Sequence, residues 1–568
     1  MDMFKITIFF AFLIKTIFAI PENSINFTIA LKQQNTQLLE DYLLEISDVE
    51  SPMYGQTIED PSFINKIVAP SEKDRNSVKQ WIKNYNINIL SDNYDSLVCN
   101  GEFKNVEELF NVKLVKLNFG TNKRFMSVSN YQIPEHLSNI VDFVEGITYR
   151  YYPRSRVNVN GDDNVDNRYS GKEVVARLYN ITDLSSIQNE VSIASIEYQG
   201  QSGFNADDLI TNEKLNNVPD NNITHIVGND AYPDEESQLD VQMMGINAPN
   251  ASIWFWDGDN WLYSLAVNMV NNKTVPHIIS MSWGWSESDQ CSVTECNQTT
   301  SKQYVDRVNT EYVKLGIRGV TITVSSGDAG APGRTNEGCF DNSNTVHATF
   351  PGSSPWITSV GATYVVNSGI QRNWTTPLCK KLGCATSNQQ YVTNNNDTGW
   401  TSGGGINNYT NRKKSASWQD SVVQKYLNSG VPLPLNFNKN GRAYPDVSVI
   451  GHYCPVVDSG SVSPVDGTSC SSPVFASIVA ILNDHQLSRG KKRLGFLNPV
   501  LYKMYQDNPS IFGDITEGDN WSTEQATCPV RKDGGSDFGY KATKGFDPVY
   551  GLGTPNVGLM MEWLDNHT

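Results

Sequence analysis

Seven histidines in 568 residues leave little imidazole chemistry to distribute, and none sits in a convincing partner motif for a serine or a metal. Positive charge is also scarce. Lysine and arginine number 44 against 61 aspartates and glutamates, a formal net charge of −17. That balance argues against nucleic acid and anionic membrane as partners, since both select basic faces. It suits work at low pH, where carboxylates are neutralised. Zinc-finger cysteine spacing and internal repeats are missing. Beyond the N-terminus, no stretch is apolar and long enough to span a bilayer.

What is present begins with "MDMFKITIFFAFLIKTIFAIPEN". A lysine precedes an apolar run from Ile6 to Ile14, and Ala19 offers a small residue for cleavage, so residues 1–19 read as a secretory signal peptide. Lys15 interrupts the run, which argues against a permanent membrane helix. Eleven Asn-x-Ser/Thr sequons, from Asn26 to Asn566 and including Asn520, fit the same route. The implied destination is the lysosome or the exterior. Nine cysteines in an oxidising compartment predict small disulfide loops at Cys291/Cys296 and Cys379/Cys384. The odd total leaves a free thiol, expected at Cys470.

Residues 20–150 alternate strand-like and helical stretches and predict an independent α+β module. "INFTIALKQQ" reads as a strand, and "SEKDRNSVKQWIKNYN" as a helix capped by Ser71. Residues 151–171, rich in Asn, Asp and Gly, read as an exposed linker open to proteolysis. From 172 to 568, β-branched runs such as "VSIASIEY", "HIISMSW" and "VTITVSSG" alternate with helical segments. That texture predicts an α/β domain with a doubly wound, mostly parallel sheet. "NQQYVTNNNDTG" reads as an Asn-rich surface loop.

Three short stretches could carry chemistry. In "VDGTSCSSPVFASIVAILND" a Gly-Thr-Ser turn leads through Pro473, read as first-turn proline, into a buried helix. A lone Gly-Thr-Ser is usually a turn and helix cap. Here Ser469 stands at a helix N-terminus, whose positive end potential favours an alkoxide. In "DEESQLDVQMM", Glu236 and Asp240 lie four apart on one helix face. Most such pairs are solvated helix ends, but apolar neighbours surround this one. Two carboxylates in a partly dry site push one pKa upward, and such a glutamate can accept a serine proton. In "VTITVSSGDAGAPG" a buried strand ends at Asp328, on the sheet edge where open α/β folds place their sites. Protonated, Asp328 could donate to a developing oxyanion.

Together these stretches resemble the sedolisin, or serine-carboxyl peptidase, family, which is similar to subtilisin in fold but uses glutamate in place of histidine. "FPGSSPWITSVGAT", "SGGGINNY", "ASWQDSVVQKYL" and "RAYPDVSVIG" follow in the family's order, and "VAPSEKDRNSVKQWI" resembles its activation prodomain. "EESQLDVQMM" and "QYVDRVNTEYVKLGIRG" are most similar to its tripeptidyl-peptidase branch. The resemblance implies a ferredoxin-like α+β prodomain ahead of a subtilisin-like catalytic domain. It assigns Ser469 as nucleophile, Glu236 as general base, Asp240 as its orienting partner and Asp328 as oxyanion-hole donor. It also implies one structural calcium ion, held by the carboxylates of Asp514 and Asp547 and the carbonyls of Ile515, Thr543 and Gly545. Cys339 and Cys528 are a possible long-range bridge nearby.

The expected protein is thus a zymogen whose own prodomain inhibits it. It would hydrolyse peptides and unfolded proteins in acid, releasing tripeptides from free N-termini. The alternatives are an acid endopeptidase of the same family and a non-catalytic secreted glycoprotein with the same fold.

Overall fold

The computed structural model describes residues 23–119, 122–127, 130–148, 164–182, 187–198, 202–228, 230, 232–258, 260–294, 296, 299–343 and 345–568. The expected signal peptide and residues 151–163 of the expected linker lie outside them.

The first module carries a four-stranded antiparallel sheet, ordered Asn88–Asp92, Ser96–Glu102, Ser24–Leu31, Val141–Glu145. Helices fill the two crossovers, which gives the ferredoxin-like order expected. Ser71 caps the Glu72–Lys83 helix by accepting the Asp74 N–H at 3.2 Å, as its position predicted. Phe27, Trp81 and Phe110 meet edge to face in the core of this module. The Thr36–Ser47 helix faces elsewhere. Leu39, Leu43 and Ile46, at helical spacing, enter a core shared with the Ser301–Ile317 helix of the second domain. Gly316 permits that approach, because a Cβ there would stand 2.8 Å from the Leu43 side chain.

In the second domain a central sheet runs Gln390–Val392, Thr358–Val365, Thr321–Ser325, Ile278–Met281, Ser192–Tyr198, Ser252–Gly258, Ile223–Val227. Val447–Ile450 also pairs with Thr358–Val365. Every pairing is parallel except that of Gln390–Val392. Alternate residues of the buried strands feed two cores. Ile193 and Ile278 face the Glu235–Asn247 and Thr468–Ser488 helices, while Ala194 and Ile279 face the Leu262–Asn271 and Ser301–Ile317 helices.

Several expectations need correction. The Asn-rich "NQQYVTNNNDTG" is not only a loop: it holds the antiparallel edge strand Gln390–Val392 and a helical turn, Asn395–Thr398. Residues 164–171, read as linker, are tied to the second domain. Asp166 N–H donates to Val365 O at 2.9 Å, Ser170 N–H donates to Tyr453 O at 2.9 Å, and Val165 bridges to Val366. Cys470 is not free. It bonds Cys454, and the free thiol is the buried Cys99 of the first module, whose pKa burial pushes up to about 12. Sequence spacing could not reveal a partner sixteen residues away across a hairpin. Cys291–Cys296, Cys379–Cys384 and Cys339–Cys528 are bonded as expected. The Asn520 sequon is wholly buried, its amide donating to Gly404 O and Pro548 O, which leaves no room for a glycan.

Candidate active site at the Ser469 turn

Ser469 is the second residue of the Thr468–Ser488 helix and is 8% exposed. Gly467 precedes the helix at φ 145°, a backbone region suited to glycine. Having no side chain, it cannot cap the helix. Asp328 caps it from the neighbouring strand end: its Oδ1 accepts the Thr468 N–H at 2.8 Å and the Thr468 hydroxyl at 2.7 Å. The Gly327 N–H in turn donates to Thr468 Oγ1 at 3.1 Å.

Pro473 is the sixth helical residue, in the second turn and not the first. Without an N–H it cannot bond the carbonyl four residues back, which is that of Ser469. The Ser282 hydroxyl lies 3.4 Å from that carbonyl and can donate to it. The same hydroxyl lies 2.9 and 3.0 Å from the two carboxylate oxygens of Asp240. Ser282 follows the Ile278–Met281 strand and Asp328 follows Thr321–Ser325. Two adjacent parallel strands therefore deliver both groups to the same carboxyl edge of the sheet. Deeper in, the Ser472 hydroxyl pairs with those of Ser280 at 2.8 Å and Thr323 at 3.2 Å, which fixes the helix over these strands.

Glu236 and Asp240 ride on the Glu235–Asn247 helix, which packs against the Ser469 helix. Its cap is Asp234, accepting the N–H groups of Glu236 and Ser237 at 3.1 and 3.0 Å. Every residue from Ser237 to Asn247 is buried, so this is not a solvated acidic helix end. Asp240 is fully enclosed, and Glu236, one turn earlier on the same face, is half-buried. The fold thus joins Asp240 and Asp328 to the Ser469 turn through named hydrogen bonds and sets Glu236 a turn from Asp240.

Sequence reading missed the groups behind them. The Ser195 hydroxyl lies 3.5 Å from Asp240 and 3.4 Å from Glu197, and the Trp283 indole donates to Glu197 at 2.8 Å. A glutamate inside the apolar run "VSIASIEY" was the available signal. Arg334 was missed as well. It stands 3.5 Å from Asp328 Oδ2 and 3.3 Å from Glu524. Burial opposes its charge, but Glu524 and Asp328 outweigh burial and hold the guanidinium protonated. One histidine lies near the turn, with partners of its own. His452 Nδ1 faces Asp466 at 2.5 Å, and Nε2 faces Asn167 at 3.0 Å.

The expected cation ligands also converge. Asp514, Thr543, Gly545 and Asp547 form one pocket near the C-terminus, but the Tyr550 hydroxyl stands among them. It lies 2.6 Å from Asp514 Oδ1, 3.0 Å from Thr543 O and 3.1 Å from Gly545 O. Calcium needs its oxygens at about 2.3–2.6 Å, so ion and phenol oxygen cannot share that point. With the phenol in place the residues do not fit the ion.

Known proteins place the chain. Residues 15–150 match the Pro-kumamolisin activation domain. Physarolisin of Physarum polycephalum is 36% identical over 560 residues, covering 96% of this chain and 94% of the relative. Tripeptidyl-peptidase 1 of Homo sapiens is 29% identical over 576 residues, covering 96% and 92%. The solved Pseudomonas sedolisin, a serine-carboxyl proteinase, shares the fold at a TM-score of 0.53 and 21% identity, over 70% of this chain and 98% of that one. A likeness of this extent, from activation domain to C-terminal helix, makes the chain a member of the sedolisin family and a serine-type peptidase carrying its own prodomain.

Proposed function

We propose that Ser469 is the nucleophile, Glu236 its general base, Asp240 the partner that orients Glu236, and Asp328 the oxyanion-site residue. The observation that carries this reading is the Ser282 hydroxyl, within 2.9 Å of Asp240 and 3.4 Å of the Ser469 carbonyl. A carboxylate system and the reactive turn are thereby held in one frame. In the reaction Ser469 Oγ attacks the scissile carbonyl while Glu236 takes its proton. The same proton then passes to the leaving amine, and water, deprotonated by Glu236, hydrolyses the acyl-enzyme. Asp328 donates to the oxyanion only when it carries a proton, so the site works in acid.

The chain is made as a zymogen. Residues 20–150 are the inhibitory prodomain and 1–19 its secretory signal. Maturation cuts within 151–163, because residues 164–171 belong to the catalytic domain by their pairing with Val365, Val366 and Tyr453. Four disulfides among the described residues suit a lysosomal or extracellular destination. No described helix is long and apolar enough to cross a membrane. Release of tripeptides from free N-termini follows from likeness to tripeptidyl-peptidase 1. A calcium ion takes no part in these steps. Asp514, Asp547 and the carbonyls of Ile515, Thr543 and Gly545 would hold it only with the Tyr550 hydroxyl moved aside.

The test is hydrolysis of paired peptides, N-terminally free and blocked, at acid pH. Tripeptides from free termini alone support the reading. Internal cuts in blocked peptides favour an endopeptidase. Undiminished cleavage by Ser469→Ala overturns the assignment of the nucleophile.

A further inference from the structure

The C-terminal pocket holds more than a steric conflict, because both of its carboxylates already accept hydrogen bonds from the chain. Asp547 is fully buried and accepts three backbone N–H groups, from Thr543 at 2.7 Å, Val549 at 3.0 Å and Tyr550 at 3.3 Å. Asp514 accepts the Gly545 N–H at 3.1 and 3.2 Å on its two oxygens and the Tyr550 hydroxyl at 2.6 Å. Both carboxylates thus have N–H or O–H donors of the chain itself as partners. Two of the three carbonyls expected as ligands, those of Thr543 and Gly545, lie 3.0 and 3.1 Å from the same phenol oxygen.

The tyrosine is also anchored where it is. Its side chain is wholly buried, its carbonyl accepts the Ser448 hydroxyl at 3.0 Å, and its N–H is held by Asp547. The Ser448 bond ties this loop to the Val447–Ile450 strand beside the sheet. The Asp547–Gly551 bridge closes the turn that carries Tyr550. Gly551, at φ 76°, lets the turn lie against Asp446, where a Cβ would come within 2.4 Å of the backbone. Admitting an ion would require the ring to leave a packed position and Asp514 to exchange its hydroxyl partner.

We propose that Tyr550 is a built-in substitute for the calcium ion: its hydroxyl closes the Asp514–Thr543–Gly545–Asp547 pocket and keeps the C-terminal loop ordered without a bound cation. A side chain that is always present replaces a ligand whose occupancy would follow the calcium concentration. The inference is independent of the roles assigned at the Ser469 turn, and its test does not use activity.

Purified intact zymogen is melted in excess EDTA and in millimolar calcium chloride, and its calcium content is measured by elemental analysis after desalting. For the wild type the two melting temperatures should agree to about 1 °C, with far less than one calcium per chain. Tyr550→Ala, which opens the pocket, should melt lower in EDTA and recover several degrees in calcium, a response magnesium should not reproduce because the pocket is loop-built and oxygen-lined. A wild type that carries one calcium per chain, or that loses several degrees in EDTA and regains them in calcium, overturns the proposal. So does a folded Tyr550→Ala that melts like the wild type with no calcium response. If that variant does not fold, the wild-type melting and metal content decide the matter.

Discussion

Two groups of enclosed carboxylates, one at the Ser469 turn and one where the prodomain meets the catalytic domain, are built from opposite partners. Asp240 is met by the hydroxyls of Ser282 and Ser195. At the prodomain contact, Asp95 meets Arg307 at 3.2 Å and Lys314 at 2.5 Å, and both cations also reach Glu311. All four ionic side chains are at most 2% exposed. A hydroxyl donates to a carboxylate and, after rotating, accepts from a carboxylic acid, so it serves both protonation states. Guanidinium and ammonium groups only donate, so they serve the ionised state alone. The first arrangement suits either protonation state, and the second ties oppositely charged groups of the two domains together in register. Glu145 lies between these extremes. It is a buried prodomain carboxylate receiving the Ser264 N–H at 2.5 Å and the Tyr304 hydroxyl at 2.7 Å, and burial raises its pKa against those bonds.

The sharpest way to break this contrast is at the reactive turn. Ser469→Ala should abolish both peptide hydrolysis and self-maturation, and Glu236→Gln should lower kcat/KM by about a thousandfold or more. Near-normal kcat/KM in Glu236→Gln would remove glutamate from the mechanism. Next comes the fixed-charge cluster. Asp95→Asn leaves Arg307 and Lys314 short of a counter-charge and should cost the zymogen about 3–5 kcal/mol in denaturant unfolding. The matured enzyme, made from the same variant, should unfold like the wild type, because Asp95 departs with the prodomain. A zymogen loss below about 1 kcal/mol would show that the cluster is not a docking device.

Glu145 sharpens the comparison through pH. Its pKa is raised in the docked state, so the docked form holds the proton more tightly than the separated form. Its contribution to docking is complete below the ordinary glutamate pKa of about 4.3 and is lost as pH rises through the raised value. Glu145→Gln should flatten that part of the zymogen's stability profile, measured by melting across pH 3–8. Acidification therefore tightens this contact. The smallest effect is expected at Ser282→Ala, about a tenfold fall in kcat with little change in KM, the value of one hydrogen bond near a charge. A change confined to KM would mean that Ser282 touches substrate rather than Asp240.

Much of this was legible in the sequence because it depends on local pattern. Short β-branched runs in "VSIASIEY" and "HIISMSW" announced strands buried on both faces, and the i, i+4 spacing of Glu236 and Asp240 put them on one helix face. Ser71 announced its own cap. What stayed hidden depends on which distant segments meet. Cys470 pairs with Cys454 only because a hairpin folds back onto the helix start. Ser282 gains its role from standing beside Asp328 across two parallel strands. Tyr550 gains its role only because its hydroxyl lies among oxygens from two separate loops.

The Cys454–Cys470 bond sits one residue beyond Ser469, the proposed nucleophile, and fastens the start of its helix to the hairpin strand Cys454–Asp458. Oxidation is thereby coupled to assembly of the catalytic turn. A chain stranded in the cytosol, where thiols stay reduced, would lack this rivet at the one place where looseness disarms a protease. On the proposed secretory route, oxidation would thus guard the cell that makes the enzyme.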